Sequence, residues 1–143
     1  MGKTGKKITP SLINSKGRFA FVIPVYNHAG NVANVIRRAK KLGFPVFVVN
    51  DGSTDNTYDA IRKIHGIRII CHEKNMGKGA ALLNGFAAAA SEADWAITID
   101  ADGQHHPEDA LNLIAAIPAS SRAIIVGARE GMQGEHVPWT SRF

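Results

Sequence analysis

Asp100, Asp102 and Gln104 follow directly on the apolar run from Trp95 to Ile99, so two carboxylates and an amide sit where a buried strand meets solvent. Acids that close together repel each other and lose hydration, which calls for a cation, usually one that also holds phosphate oxygens. The three side chains alternate along the chain, and an extended backbone would turn all of them the same way. Their oxygen-only character suits Mg²⁺ or Mn²⁺, with water and a diphosphate completing the shell. His105 and His106 adjoin the set, but adjacent loop histidines are more often solvated or cap a following helix than ligate.

Three more clusters carry candidate chemistry. In Asn50-Asp51-Gly52-Ser53-Thr54-Asp55 the Asp51 carboxylate can accept hydrogen bonds from a base edge or a ribose, and equally Asp51, Ser53 and Asp55 can be turn and cap residues. Gly77-Lys78-Gly79-Ala80-Ala81 opens a helix whose bare amides, with the Lys78 charge, favour phosphate; a flexible turn before an alanine-rich helix fits as well. The spacing is not that of a P-loop, and no dinucleotide fingerprint follows the first strand. Gly127-Ala128-Arg129, and Arg142 near the end, offer guanidinium groups to neutralise phosphate, or are plain surface arginines. Cys71, the single cysteine, follows Ile69 and Ile70 and reads as a packed core thiol. His28, His65, His72 and His136 have no partner by spacing.

The elements that must position these groups alternate. Phe19 to Val25 is a nearly continuous apolar run, suiting a strand covered on both faces. Val32, Val35, Ile36, Ala39 and Leu42 follow helical spacing up to a stop at Gly43. Val46 to Val49 is a second strand, followed by a helix carrying Tyr58, Ile61 and Ile64, capped by Asp55 or Ser53. Ile67 to Cys71 is a third strand, Leu83, Phe86, Ala87 and Ala90 an apolar helical stripe, and Trp95 to Ile99 a fourth strand. Pro107, Glu108 and Asp109 start another helix, and Ala123 to Val126 closes the series as a fifth strand. This alternation predicts an α/β domain with an open, mostly parallel sheet and helices on both faces. Ligands then bind at the carboxyl ends of the strands, and Asn27, Asp51 and Asp100 with Asp102 each fall just after one, converging on a single crevice.

Read together, Ile23-Pro24-Val25-Tyr26-Asn27, Val49 to Thr57, Asn75 to Ala81 and Asp100 to His105 resemble the family 2 glycosyltransferases, in particular the branch of dolichyl- and polyprenyl-phosphate sugar synthases. Four motifs stand in the right order over Phe19 to Arg129. The resemblance implies the GT-A, Rossmann-like nucleotide-sugar fold. It implies a nucleotide pocket lined by Pro24, Tyr26 and Asn27, base recognition by Asp51, metal binding by Asp100, Asp102 and Gln104, and contact of Arg129 and Arg142 with diphosphate or the acceptor's phosphate. The implied reaction is inverting sugar transfer from a UDP- or GDP-linked donor, with Mg²⁺ or Mn²⁺ as Lewis acid and Asp102 and Arg129 nearest the chemistry. A lipid-phosphate acceptor is already an anion and needs no general base; a hydroxyl acceptor would need one, and only Glu130 and Glu135 stand unplaced.

At 143 residues, 45% hydrophobic and 20% charged, the chain has the composition of one globular domain, with no apolar run of membrane-spanning length. The formal charge of +5 concentrates in Lys3, Lys6, Lys7 and Lys16 and in Arg37, Arg38, Lys40 and Lys41. Without interleaved aromatics this argues against nucleic acid and for solvated faces or anionic lipid headgroups. Residues 1–17 read as a flexible basic extension and 18–143 as the nucleotide-sugar domain. A cytoplasmic protein, peripheral at the membrane, is expected. Family domains continue past the position of Phe143, so the acceptor side is expected to be incomplete and an exposed sheet edge to favour self-association. A noncatalytic nucleotide-sugar binding or assembly module and a nucleotidyltransferase are the competing readings.

Overall fold

A computed structural model of the chain describes residues 8–118. The chain divides into two compact units, and Gly17–Ala110 holds the sheet and the candidate site. In chain order the elements are α1 (Pro10–Lys16), β1 (Phe19–Val25), α2 (Val32–Lys40), β2 (Val46–Asn50), α3 (Thr57–Arg62), β3 (Arg68–Cys71), α4 (Lys78–Ala89), β4 (Trp95–Thr98), a 3₁₀ turn at Pro107–Asp109 and α5 (Ala110–Ala115). The helix α1, in the other unit, falls inside the stretch expected to be irregular. Thr9 Oγ1 accepts the Leu12 N–H at its start and Pro10 occupies the first turn, local signals strong enough to start a helix without an apolar stripe.

The four strands lie in the order β3-β2-β1-β4, all parallel. Successive side chains of β1 point to opposite faces, and both faces are covered. Phe21, Ile23 and Val25 join Val46 and Val48 under α2 and α3, where Val32, Val35, Ile36, Ala39 and Ile61 meet them. Ala20, Val22 and Phe47 face the other way, toward Ala89 and Leu82. The helices therefore cover both faces, as the alternation of elements predicts. Ala123 to Val126 lies outside the described residues.

Three expectations about these elements are corrected. The apolar stripe expected on α4 is displaced: Ala81, Gly85 and Ala89 face the sheet, while Leu83 is 69% and Phe86 37% exposed. Here the strands supply the bulk and the helix supplies closeness, since a Cβ on Gly85 would stand 2.3 Å from Val22 Cγ1 and 3.1 Å from Val49 Cγ2. Cys71 is exposed rather than packed, because β3 is an edge of the described sheet and only its two middle residues are half-buried. Likewise β4, the other edge among the described residues, alternates between half-buried and exposed positions and is not a fully buried strand.

The close fit of α4 gives a test. Gly85→Ala is expected to cost about 2 kcal/mol by overpacking against Val22, seen as a lower urea midpoint at unchanged slope. Leu83→Ala, on the exposed side of the same helix, should stay within about 0.5 kcal/mol of the parent. The reverse ranking would put the buried face of α4 where sequence periodicity placed it.

Candidate functional site

The chain passes from β1 to β2 on one side of β1 and reaches β4 on the other, so the topological switch point of the sheet lies between β1 and β4. The two strands part there. Their register ends at Val22 opposite Thr98, followed by one long bond from Ile99 N–H to Val22 O at 3.4 Å. The N–H of Phe21 turns toward β2, reaching Pro45 O, so by alternation position 24 faces the β4 side, beyond the last paired residue. Proline, with no N–H to leave unpaired, is well suited to that position in a central strand.

A cleft of about 430 Å³ opens at this point. Of the residues singled out from sequence, Pro24, Tyr26, Asp51, Lys78, Asp100 and Asp102 line it; His28, Asn75 and Gly77 line it too. Four loops thus meet at the carboxyl end of the sheet. Asn27 and Gln104 are absent from the lining.

Asn27 serves as a clasp instead. Held at φ 53°, it receives the Thr54 and Asp55 N–H groups on Oδ1 at 2.8 and 3.3 Å, and its own N–H donates to Ser53 Oγ at 3.0 Å. These bonds tie the loop after β1 to the loop after β2. The N-cap of α3 is Asn56, without a side-chain cap bond, rather than Asp55 or Ser53; Asp55, one position earlier, braces the helix start instead, its Oδ1 receiving the Thr57 N–H at 2.9 Å and the Thr57 hydroxyl. The hydroxyl bond lowers the Asp55 carboxyl below its ordinary value.

The acidic segment is a turn, not an extended run. Residues 101–103 bend and Asp102 Oδ1 receives the Gln104 N–H at 2.9 Å, which turns Gln104 out to an exposed position. The expectation that alternation aims all three side chains together therefore fails. Asp100 and Asp102 reach the cleft by the turn itself. Asp100 Oδ1 is 2.5 Å from Lys78 Nζ, and Oδ2 is 3.7 Å from His105 Nδ1. His106 is engaged elsewhere, 2.9 Å from Arg38 Nη2 beside the Arg38–Glu108 ion pair. Among the described residues no group of three or more His, Cys, Asp or Glu is placed to hold a metal by itself. Two carboxylates open to the cleft nonetheless fit Mg²⁺ or Mn²⁺, hard ions that keep several waters and share a ligand's phosphate oxygens.

At the opposite side of the cleft Asp51 is only 3% exposed. Its Oδ1 lies 2.7 Å from His72 Nδ1 and 2.8 Å from the Met76 N, and its Oδ2 is 2.9 Å from the Gly77 N. Burial pushes this carboxyl up, but the bonds from His72 and from the two amides outweigh it and hold Asp51 below the ordinary carboxylate range. Asn84 Nδ2, on α4, donates to His72 Nε2 at 2.7 Å. His72, assigned nothing from sequence, is the first residue after β3. The rule that pointed to Asn27, Asp51 and Asp100, that polar residues just past a strand face the crevice, would have found it. Arg129, Arg142, Glu130 and Glu135 lie outside the described residues.

The chain is similar to known proteins in sequence and fold. The glycosyl transferase family 2 model matches residues 20–142. A UDP-N-acetylglucosamine–dolichyl-phosphate N-acetylglucosaminyltransferase of Methanococcus voltae is 32% identical over 126 residues, 76% of this chain and 50% of that protein. A dolichol-phosphate mannosyltransferase of Pyrococcus furiosus is 30% identical over 129 residues, 85% of this chain and 36% of that one. Among solved structures, glucosyl-3-phosphoglycerate synthase of Mycobacterium tuberculosis with Mn²⁺, UDP and glucosyl-3-phosphoglycerate superposes with a TM-score of 0.62 at 25% identity, covering 80% of this chain and 44% of that one. The chain spans half or less of the length of each of these proteins.

Proposed function

This chain belongs to glycosyl transferase family 2 and has its GT-A fold, and from that premise we propose that the cleft between β1 and β4 holds a nucleoside diphosphate sugar for inverting transfer to a lipid phosphate. One observation carries the reading: Asp100 and Asp102, Lys78, Asp51 and the Pro24–Tyr26 segment, drawn from four loops, wall a single cleft at the switch point of the sheet. Asp51 stands at β2 and the acidic turn after β4, two strand spacings or about 10 Å apart, a span that suits a nucleobase edge at one end and a diphosphate at the other.

Within that pose each residue has a separate task. Pro24 and Tyr26 wall the nucleotide, and Asp51 receives a hydrogen bond from the base. Lys78, paired with Asp100 across the cleft, stands at the N-terminus of α4, where the helix dipole and its own charge both favour phosphate. Asp100 and Asp102 would hold Mg²⁺ or Mn²⁺, which when bound offsets the charge that grows on the departing diphosphate. An acceptor phosphate brings its own negative oxygen, so transfer to it needs no general base. No helix among the described residues is long and apolar enough to cross a membrane. The chain's net charge of +5 has the sign that anionic lipid headgroups attract.

Calorimetric titration tests the donor site directly. UDP is expected to bind the full chain more tightly with Mn²⁺ than without, and Asp102→Ala to remove at least about tenfold of that gain. Equal affinity with and without metal, or an unaffected Asp102→Ala variant, would end the metal-bound reading.

A further inference from the structure

Asp51 offers a ligand less than an aspartate ordinarily does. An ionised carboxylate accepts about four hydrogen bonds, two on each oxygen. Here His72 Nδ1 and the Met76 N–H fill both positions on Oδ1, and the Gly77 N–H takes one on Oδ2. A single acceptor position, on Oδ2, is left for a molecule in the cleft. His72 is itself held in the donor role. The Asn84 amide nitrogen donates to Nε2, which makes that atom the acceptor and leaves the ring hydrogen on Nδ1, facing Asp51.

We propose that His72, positioned by Asn84, sets the nucleobase selectivity of the site by occupying Oδ1 of Asp51, so that the donor is a uridine rather than a guanosine diphosphate sugar. Uracil presents one N–H between two carbonyls, and one acceptor satisfies it. Guanine presents N1–H and the 2-amino group side by side, a pair that a carboxylate receives with both oxygens. With Oδ1 saturated, one guanine donor would be buried without a partner, and a site built this way rejects the ligand it cannot satisfy. His72 and Asn84 are positioning residues in this account, acting through Asp51. The inference rests on the cleft being a nucleotide site, as argued above.

The test is a ratio. With Mn²⁺ present, the full chain is expected to bind UDP at least about tenfold more tightly than GDP. His72→Ala frees an acceptor on Oδ1 and should narrow that preference to within about threefold. His72→Gln, which keeps an N–H donor near Oδ1, should restore most of it. Asn84→Ala, at an exposed position of α4, should narrow the ratio partway and carries the test should His72→Ala not fold. Equal binding of UDP and GDP by the parent chain overturns the inference, as does a ratio that survives both His72→Ala and Asn84→Ala while overall affinity falls. Binding of neither nucleotide would sink the donor site itself, a different failure from loss of preference.

Discussion

Asp51→Ala is expected to lose on the order of 3 kcal/mol of folding stability, because it leaves His72 Nδ1–H and the Met76 N–H without their acceptor at once, while the Gly77 N–H keeps only its longer bond to Asn75 Oδ1 at 3.1 Å. His72 Nδ1 and the Met76 and Gly77 amides all end on this one carboxylate, so it joins the end of β2 to the loop that opens α4. Chemical unfolding reads the loss, and hydrogen exchange locates it: the Met76 amide should lose protection before those of β1. If its protection is unchanged in the variant, Asp51 is not the strut. The same bonds give a pH dependence of definite sign. The folded-state carboxyl lies below its ordinary value of 3.8, burial being outweighed by the hydrogen bonds, so its contribution is fully present above that value. It disappears as pH falls from about 3.8 through the depressed folded value, where the native state must finally take up the proton. Asp51→Asn should therefore be less stable than the parent at pH 7, and the difference should shrink as pH falls below 3.8.

Gly52→Ala is expected to cost a similar amount, on the order of 3 kcal/mol, through the backbone. Gly52 adopts φ +69°, and a Cβ there would stand 2.3 Å from the carbonyl carbon of Lys74 and 2.4 Å from the nitrogen of Asn75. Both are main-chain atoms, so no rotamer change relieves the contact and the loop after β3 must move. That loop carries Asn75, Gly77 and Lys78 in the cleft wall. UDP affinity should fall together with stability. Gly79→Ala is the control, since nothing stands within 4 Å of a Cβ at that position of α4. It should fold at least as well as the parent, and a Gly52→Ala variant equally stable would show that the two loops do not touch as described.

Much of the architecture was legible because it depends on periodicity and on punctuation. The run Phe19 to Val25 suits a strand covered on both sides, the spacing of Val32, Val35, Ile36 and Ala39 follows a helix, and both elements form there. Where the reading failed, size and neighbours decided. On α4 the choice between a Leu83–Phe86 face and an Ala81–Gly85–Ala89 face is not one of hydrophobicity, since both are apolar. The side chains of Val22, Phe47 and Val49 leave room for only the smaller face. Cys71 was misplaced for a related reason, as its apolar neighbours say nothing about whether the strand lies at an edge.

The site divides along the same line. Which residue types gather at the strand ends is written in the chain: an acid after β2, a lysine at the start of a helix, two acids after β4. Local turn geometry and long-range pairing are not: the first is set by a bond between near neighbours that spacing does not show, the second by atoms brought together from more than 20 positions away. The turn at 101–103 brought Asp100 and Asp102 to the cleft and turned Gln104 out. Asn27 became a clasp through bonds to Thr54 and Asp55, and His72 met Asp51 across 21 residues. Composition and spacing thus determined that this chain builds a parallel sheet with acids and a lysine at one end. Only the packed structure decided which of those groups a ligand can reach, because a hydrogen-bonding position already taken by a neighbouring loop is closed to anything else.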